Sequence, residues 1–481
     1  MNRKLVFNLT GRILCFMALL FSAPLLCSLV YKEFGVAVAF VISAAISLAA
    51  GGALQLIFRP KDKMIFAREG FAVVALAWVG VSILGSLPFI ISGEIPSFID
   101  ALFETVSGFT TTGASIMSGQ QIEAMSHGLL FWRSFTHWIG GMGVLVFVMA
   151  LVPMESGRSI HIMRAEMPGP IVGKLVPKIK ETAKILYLIY IALTAVMVVF
   201  LLCGGMNLYE SLVHAFGTAG TGGFGIKADS VASYSPYIQW VVAIFMLIFG
   251  INFNLFYLIT VKKISSAIKS SELWCYFGIV GASTLFIWAD IMNKFSSLGL
   301  SLRHSFFQVS SIITTTGFTT TDFTVWPEFS KAILLVLMFI GGCAGSTAGG
   351  LKVSRVMLLI KTVKRDLKKM LHPRSVGVVK HEGRTVEDAT VVNTSVYLIT
   401  YCLIFFALFL IISLEPFGVE TAFSSVASCF NNIGPAFGAA SSGFGEFSGL
   451  SKITLSVAML LGRLEIFPLL LAFSPSTWLK K

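Results

Sequence analysis

The chain has 481 residues, 56% of them hydrophobic and 12% charged, with 42 phenylalanines and a formal charge of +12. Soluble domains carry roughly 25% charged residues, so this composition and the mean hydropathy of +0.84 exclude a water-soluble globule. The length accommodates roughly ten spans of about 20 residues, each matched to a hydrocarbon core of about 30 Å.

The positive charge is a topological signal and not a nucleic-acid footprint. Lys32, Arg133, Lys227, Lys294, Arg303, Lys331 and Lys452 fall on one side of the expected spans, and the other 29 of the 36 basic residues (36 − 7) on the opposite side. That asymmetry predicts cytoplasmic amino and carboxy termini. Seven cysteines are scattered without a Cys-x-x-Cys pair, mostly in apolar runs. They read as small buried hydrophobes, with no disulfide framework or metal site implied.

Met1-Asn2-Arg3-Lys4 followed by the apolar run Ile13 to Val30 has the outline of a signal peptide. No convincing cleavage site is present and another span begins almost at once, so an uncleaved first helix is expected. The second span, about Gly35 to Phe58, returns to the basic loop Arg59, Lys61, Lys63 and Arg68. Residues 1–69 therefore form a helix pair separate from the rest of the chain.

From about Gly70 one pattern recurs four times: a long apolar span, a short amphipathic segment, a polar glycine-bearing turn and a second long span. The units are expected at 70–183, 184–272, 273–392 and 393–481. In the first, Phe71 to Ile91 crosses outward, Ser97 to Phe109 is too short to cross at 1.5 Å per residue, and Leu129 to Val152 returns. The second uses Ile185 to Leu202, Asn207 to Phe216 and Ile238 to Thr260; the third Trp274 to Ile291, Leu298 to Ile313 and Ala332 to Lys361; the fourth Val396 to Ile412, Val419 to Phe430 and Ile453 to Phe473. The implied fold is an all-α integral membrane protein of four helix–pore-helix–helix repeats around one pseudo-fourfold pore.

The turns carry the chemistry. They are Thr110-Thr111-Thr112-Gly113, Gly220-Thr221-Gly222, Thr314-Thr315-Thr316-Gly317 and Asn431-Asn432-Ile433-Gly434, with glycine-to-glycine separations of 109, 95 and 117 residues taken at Gly113, Gly222, Gly317 and Gly434. Irregular backbone at membrane depth is tolerated where it is buried in protein or lines a water-filled path. A dehydrated potassium ion needs a ring of oxygens, which backbone carbonyls supply, and glycine reaches the required φ > 0 cheaply. Any one turn is most simply a helix-breaking loop; four after four short helices point to a filter. Its expected residues are Thr111, Thr112, Gly113, Thr221, Gly222, Thr315, Thr316, Gly317, Asn432, Ile433 and Gly434, with potassium held at Thr112, Gly113, Thr221, Gly222, Thr316, Gly317, Ile433 and Gly434.

Two further features stand in the apolar spans. Gly341 to Gly350 holds six glycines or serines in ten residues, which predicts an unwound, mobile segment under the filter, suited to a gate, although small residues also serve ordinary helix packing. Arg463 lies about halfway along the last span, where a charge faces a cavity or a partner; it is either a structural ion pair or a pore-wall barrier. Glu465, two residues on, points to another helix face and is not an obvious local partner. His137, His214 and His304 lack metal-ligand spacing and read as structural. Glu104 and Asp322 flank turns on the outer side, where exposed carboxylates are common. The long connections Pro153 to Thr182 and Lys361 to Asp388 are basic, and a hairpin is expected at Glu382-Gly383. These face anionic lipid or a cytosolic regulator.

Together the four turns, Glu166-Met167-Pro168-Gly169-Pro170, Gly341 to Gly350 and Gly462-Arg463-Leu464-Glu465 resemble the Trk/Ktr/HKT potassium transporter superfamily over nearly the whole chain. The extra helix pair fits the TrkH-type subunits of bacterial Trk systems better than KtrB. The resemblance implies a homodimer with one pore per subunit, in the bacterial inner membrane, with a cytosolic nucleotide-binding regulator of the TrkA type, so that nucleotide acts only through that partner. It implies potassium selectivity from Gly113, with rubidium tolerated and sodium disfavoured, and a gate at Gly345, Gly349, Lys352 and Arg463. The second and fourth turns depart from the threonine-rich pattern. A potassium channel leads; an ion-coupled symporter is the alternative; a lipid-directed enzyme is disfavoured because no nucleophile and base cluster is present.

Overall fold

The structure, a computed structural model, describes residues 1–61, 66–143, 179–375 and 377–478. Lys63, residues 144–152 of the first inner span, and the connection from 153 to 178 with Glu166 to Pro170 lie outside the described residues.

Most of the described residues are helical. The leading pair is Arg3–Leu20 continuing into Ser22–Val30, against Phe34–Ile57. Gly11 and Gly51 meet where the two helices cross; a Cβ on Gly11 would stand 2.7 Å from the Gly51 carbonyl oxygen, the close backbone approach that small residues permit between membrane helices. An aromatic cluster joins this pair to the first repeat: Trp132 lies 4.8 Å from Phe21 and 5.9 Å from Phe109 between ring centroids.

Four outer helices come next, Ala67–Ile91, Ile179–Cys203, Ser271–Ile291 and Asp388–Ile412. Each leads into a short helix: Phe98–Phe109, Leu208–Ala219, Leu298–Ile313 and Val419–Phe430. Ser97, Asn207 and Ser297 start the first three, their side chains accepting from the backbone N–H of Asp100, Glu210 and Leu300, the N-cap bond that satisfies an otherwise orphaned donor. Three of them have 12 residues, about 18 Å, and the third has 16, about 24 Å, all short of a hydrocarbon core of about 30 Å.

The inner helices differ from the expected long spans. They are His127–Gly141, Pro236–Phe249, Glu328–Phe339 and Gly449–Arg463. The second bends by 89° into Phe253–Thr260 and the fourth by 118° into Phe467–Phe473, while the third gives way to loop until Val353–Leu371. Among the described residues six helices are long and apolar enough to cross a membrane, and eight if each bent pair counts as one span. At three of these inner helices a glycine lets a pore-helix end come close. A Cβ on Gly140 would collide with the Phe109 carbonyl and one on Gly462 with the Phe430 carbonyl, and one on Gly250 would stand 2.9 Å from Thr314 Cγ2.

The two chain ends meet at one face of the bundle. Arg3 Nη2 donates to the Trp478 carbonyl at 2.6 Å, Arg68 to the Ser476 carbonyl, and the Asn2 N–H to Glu69 Oε1 at 3.0 Å. At the opposite face Lys452 Nζ pairs with Asp100 Oδ1 at 2.6 Å and Lys331 Nζ with Glu328 Oε1 at 2.6 Å.

Candidate functional site

Each short helix ends in the same way. Thr111, Thr221, Thr315 and Asn432 take positive φ of 56, 56, 54 and 58°. The next N–H turns back to a carbonyl five residues earlier: Thr112 to Ser107 at 2.9 Å, Gly222 to Gly217 at 2.8 Å, Thr316 to Ser311 at 2.8 Å and Ile433 to Ser428 at 2.9 Å. This closes the helix end in the manner of a Schellman motif. Threonine in the left-handed region is a true outlier, costing on the order of 1–3 kcal/mol, and such strain concentrates at functional sites.

Two residues beyond each outlier the chain is left-handed again, at Gly113, Gly223, Gly317 and Gly434, with φ of 78, 76, 88 and 102°. The four turns close on one another in order. A Cβ on Gly113 would collide with the Gly222 carbonyl oxygen, on Gly223 with that of Thr316, and on Gly317 with that of Ile433; on Gly434 it would lie 2.6 Å from the Thr112 carbonyl oxygen. First faces second, second third, third fourth and fourth first, so carbonyls of neighbouring turns approach bare glycine backbone all the way round.

This corrects the register of the second turn. Gly222 occupies the place of Thr112, Thr316 and Ile433, and the left-handed glycine is Gly223, one residue beyond the glycine expected from the sequence. Gly223 also keeps partial exposure, as Gly113 and Gly317 do, whereas Gly222 is buried.

Behind the ring the turns are braced in three ways. Thr110 Oγ1 and Thr112 Oγ1 share a hydrogen bond of 2.8 Å, and Thr314 and Thr316 repeat it at 2.8 Å. The second turn has glycines at both places because His137 takes up the space: a Cβ on Gly222 would run into its imidazole, and one on Gly220 into its backbone carbonyl. Its Nδ1–H donates to the Gly108 carbonyl at 2.9 Å. In the fourth turn Asn432 Nδ2 donates to Thr112 Oγ1 at 3.0 Å and to the Met459 carbonyl at 2.9 Å, and the Tyr401 hydroxyl donates to Asn431 Oδ1 at 2.9 Å.

Glu104 is not an exposed outer carboxylate. It is 1% exposed, pairs with Arg133 Nε at 2.5 Å and accepts the Ile116 N–H at 3.0 Å, so it pins the chain leaving the first turn. Asp322 is exposed and accepts from Thr324. His214 stacks on Phe318 with centroids 5.8 Å apart, and His304 Nδ1 lies 2.8 Å from Thr320 Oγ1.

Beneath the ring, residues 340–352 are non-helical, as the glycine content predicts. The loop is compact: the Cys343 N–H donates to the Gly250 carbonyl at 2.9 Å, the Phe253 N–H to the Gly345 carbonyl at 3.0 Å, and the Gly349 N–H to Thr315 Oγ1 at 2.7 Å. Lys352, 2% exposed, donates back into the loop at the Ala348 and Gly349 carbonyls. Arg463 Nη1 donates to the Thr347 carbonyl at 2.9 Å, and Nη2 to the Gly141 carbonyl at 2.7 Å and to that of Gly140. It therefore ties the fourth repeat to the loop and to the first repeat. Gly345, Gly349, Lys352 and Arg463 line one small cavity together with Gly141 and Phe253. Glu465 has a partner after all: Arg355, which also lies 4.1 Å over the Tyr397 ring.

Fold and site together define a polytopic membrane transport protein built from four re-entrant units. The chain belongs to the TrkH family, described as Cation transport protein, whose model matches residues 37–281 and 279–480. That family comprises transporters, not enzymes. Similar proteins include the Trk system potassium uptake protein TrkH of Escherichia coli strain K12, 37% identical over 98% of this chain and 99% of that one. TrkH of Halomonas elongata is 34% identical over 100% of both. Among solved structures, the potassium transporter TrkH from Vibrio parahaemolyticus matches with a TM-score of 0.89 at 33% identity, covering 100% of each chain.

Proposed function

We propose that this chain takes up potassium across the bacterial inner membrane through a channel-like pore, with the ring of turns as its selectivity filter. The carrying observation is the closed order in which Gly113, Gly223, Gly317 and Gly434 each meet a neighbouring turn's carbonyl. Such a ring replaces the hydration shell of a monovalent cation, and four helix C-termini ending at it add a negative partial charge. The filter then comprises Thr111, Thr112 and Gly113; Thr221, Gly222 and Gly223; Thr315, Thr316 and Gly317; and Asn432, Ile433 and Gly434. The names of the relatives, Trk system potassium uptake proteins, support potassium as the ion.

Gly345, Gly349, Lys352 and Arg463 form the gate in this reading, supported by their common cavity below the ring. The working assembly is a homodimer in anionic lipid, both termini cytoplasmic, regulated by a TrkA-type subunit that carries the nucleotide. The meeting of Arg3 and Arg68 with the carboxy-terminal segment supports termini on one side.

The test is tracer flux of Rb⁺ against Na⁺ into proteoliposomes for the parent and Gly113→Ser. The parent passes Rb⁺ in preference, and the variant loses that preference; an unchanged ratio overturns the filter assignment. Single-channel recording separates the pore from an ion-coupled symporter, since resolvable unitary currents exceed the turnover of alternating access.

A further inference from the structure

The outer helix Ser271–Ile291 carries at its cytoplasmic start an acidic residue that the pore chemistry does not use. Glu272 is 5% exposed, and its Oε1 accepts the Ala344 N–H at 2.7 Å and the Ser354 N–H at 3.1 Å. Those donors bracket the stretch that holds Gly345, Gly349 and Lys352. One carboxylate oxygen thus holds both ends of the loop. Backbone N–H donors to a carboxylate make charge-assisted bonds, shorter and about twice as strong as neutral ones.

The same helix start is held from the cytoplasmic side. Strands Lys380–His381 and Arg384–Thr385 form a hairpin whose turn residues, Glu382 and Gly383, have φ of 49 and 74°, the paired left-handed geometry of a two-residue hairpin turn. Glu382 Oε1 accepts from Ser270 Oγ and Ser271 Oγ, each at 3.1 Å, and from the Glu272 N–H at 3.0 Å. Lys361 Nζ fixes the hairpin by donating to the Lys380 carbonyl at 2.8 Å. An unbroken run of hydrogen bonds therefore leads from a cytoplasmic turn, through one helix terminus, to both ends of the intramembrane loop.

We infer that Glu272 is a positioning residue that clasps the loop in its resting form, and that the Glu382 turn is the cytoplasmic contact through which the clasp is held or released. This rests on reading the loop as the gate. Displacing the turn by a few ångströms removes Glu382 from the helix start, frees Glu272 to tilt, and lets residues 344–354 move away from the ring. The filter itself is not touched.

Full-length protein in proteoliposomes tests this by hydrogen–deuterium exchange of the 341–354 segment together with resting Rb⁺ flux. Glu382→Ala, at an exposed turn, is the informative variant because Glu382 makes no hydrogen bond to the loop. Its loop amides exchange about tenfold faster, the scale of one lost charged hydrogen bond, with resting flux raised and Rb⁺ over Na⁺ preference kept. Glu272→Ala exceeds it and Glu272→Gln, which keeps an acceptor oxygen, falls between Glu272→Ala and the parent. Unchanged loop exchange in Glu382→Ala overturns the inference even where Glu272→Ala proves unstable. Faster exchange with unchanged flux supports the clasp and overturns the gate reading instead.

Discussion

The ring and the level directly beneath it obey different rules. In the ring all four repeats share one backbone course, with the same left-handed pair of positions despite threonine, glycine, isoleucine and asparagine in the sequence. Below it the repeats diverge: a bend of 89° in the second, a glycine-rich loop in the third, a bend of 118° in the fourth. A closed ring of carbonyls constrains each backbone equally, because a misdirected turn spoils its neighbour's contact. The level below has no closure to satisfy, so each repeat takes its own course there.

The largest expected effect strikes the ring. Gly223→Ala adds a Cβ at a φ of 76° directly toward the Thr316 carbonyl, combining backbone strain and overpacking worth about 3 kcal/mol. Rb⁺ flux in proteoliposomes falls roughly a hundredfold. Near-parental flux would show that the second turn does not join the ring at Gly223.

Next comes the bracing behind it. Gly222→Thr alone places a side chain in the His137 ring and lowers flux, whereas Gly222→Thr with His137→Ala makes room for the threonine that Thr112 and Thr316 supply in the first and third turns and recovers much of it. Here the collision is with a removable side chain rather than a carbonyl, so the pair couples strongly. A double variant worse than either single one breaks the claim that His137 substitutes for the missing threonine.

Below the ring, Arg463→Ala acts in the opposite direction. It leaves the Thr347, Gly140 and Gly141 carbonyls without this donor, and a hydrogen bond to a charged group contributes about 1.5–3 kcal/mol. Resting Rb⁺ flux rises on the order of tenfold with unchanged ion preference. Unaltered resting flux and regulation would remove Arg463 from the gate.

Legibility in the sequence divides along the same line. The four short helices and their turns are legible because 12 to 16 residues fall short of a membrane's thickness and threonine–glycine runs are foreign to it. The register at Gly222-Gly223 is not, since two adjacent glycines leave open which one is left-handed. The broken inner helices escape a hydropathy pattern because it stays high across Gly250 and Gly462, where the glycines let a neighbouring pore helix pack closely. Glu104 has the look of a loop acid until Arg133, 29 residues later, supplies its buried partner. The pairing of Glu465 with Arg355 and the clasp at Glu272 bridge 110 and 72 residues; charged residues in apolar spans signal that partners exist, and only the fold identifies them.

The smallest expected effect lies outside the membrane, at the hairpin that leads to the loop. His381 is 4% exposed, and burial lowers its pKa below the usual 6.5, reinforced by Lys361 and partly opposed by Glu382. The folded hairpin therefore prefers neutral imidazole. Above about pH 6.5 the unfolded and folded states are both neutral and the hairpin keeps its full stability. As pH falls below that value the unfolded strand takes up a proton that the folded one resists, and stability is lost progressively until the folded pKa is passed. Acidifying the medium on the hairpin's side from about pH 7.5 to 5.5 should thus speed amide exchange across residues 378–386 beyond the intrinsic pH effect. His381→Asn should flatten that response while the ring, its Rb⁺ over Na⁺ preference measured in parallel, stays as it was. Equal acid sensitivity in parent and variant would mean that the hairpin is held by Glu382 and Lys361 alone.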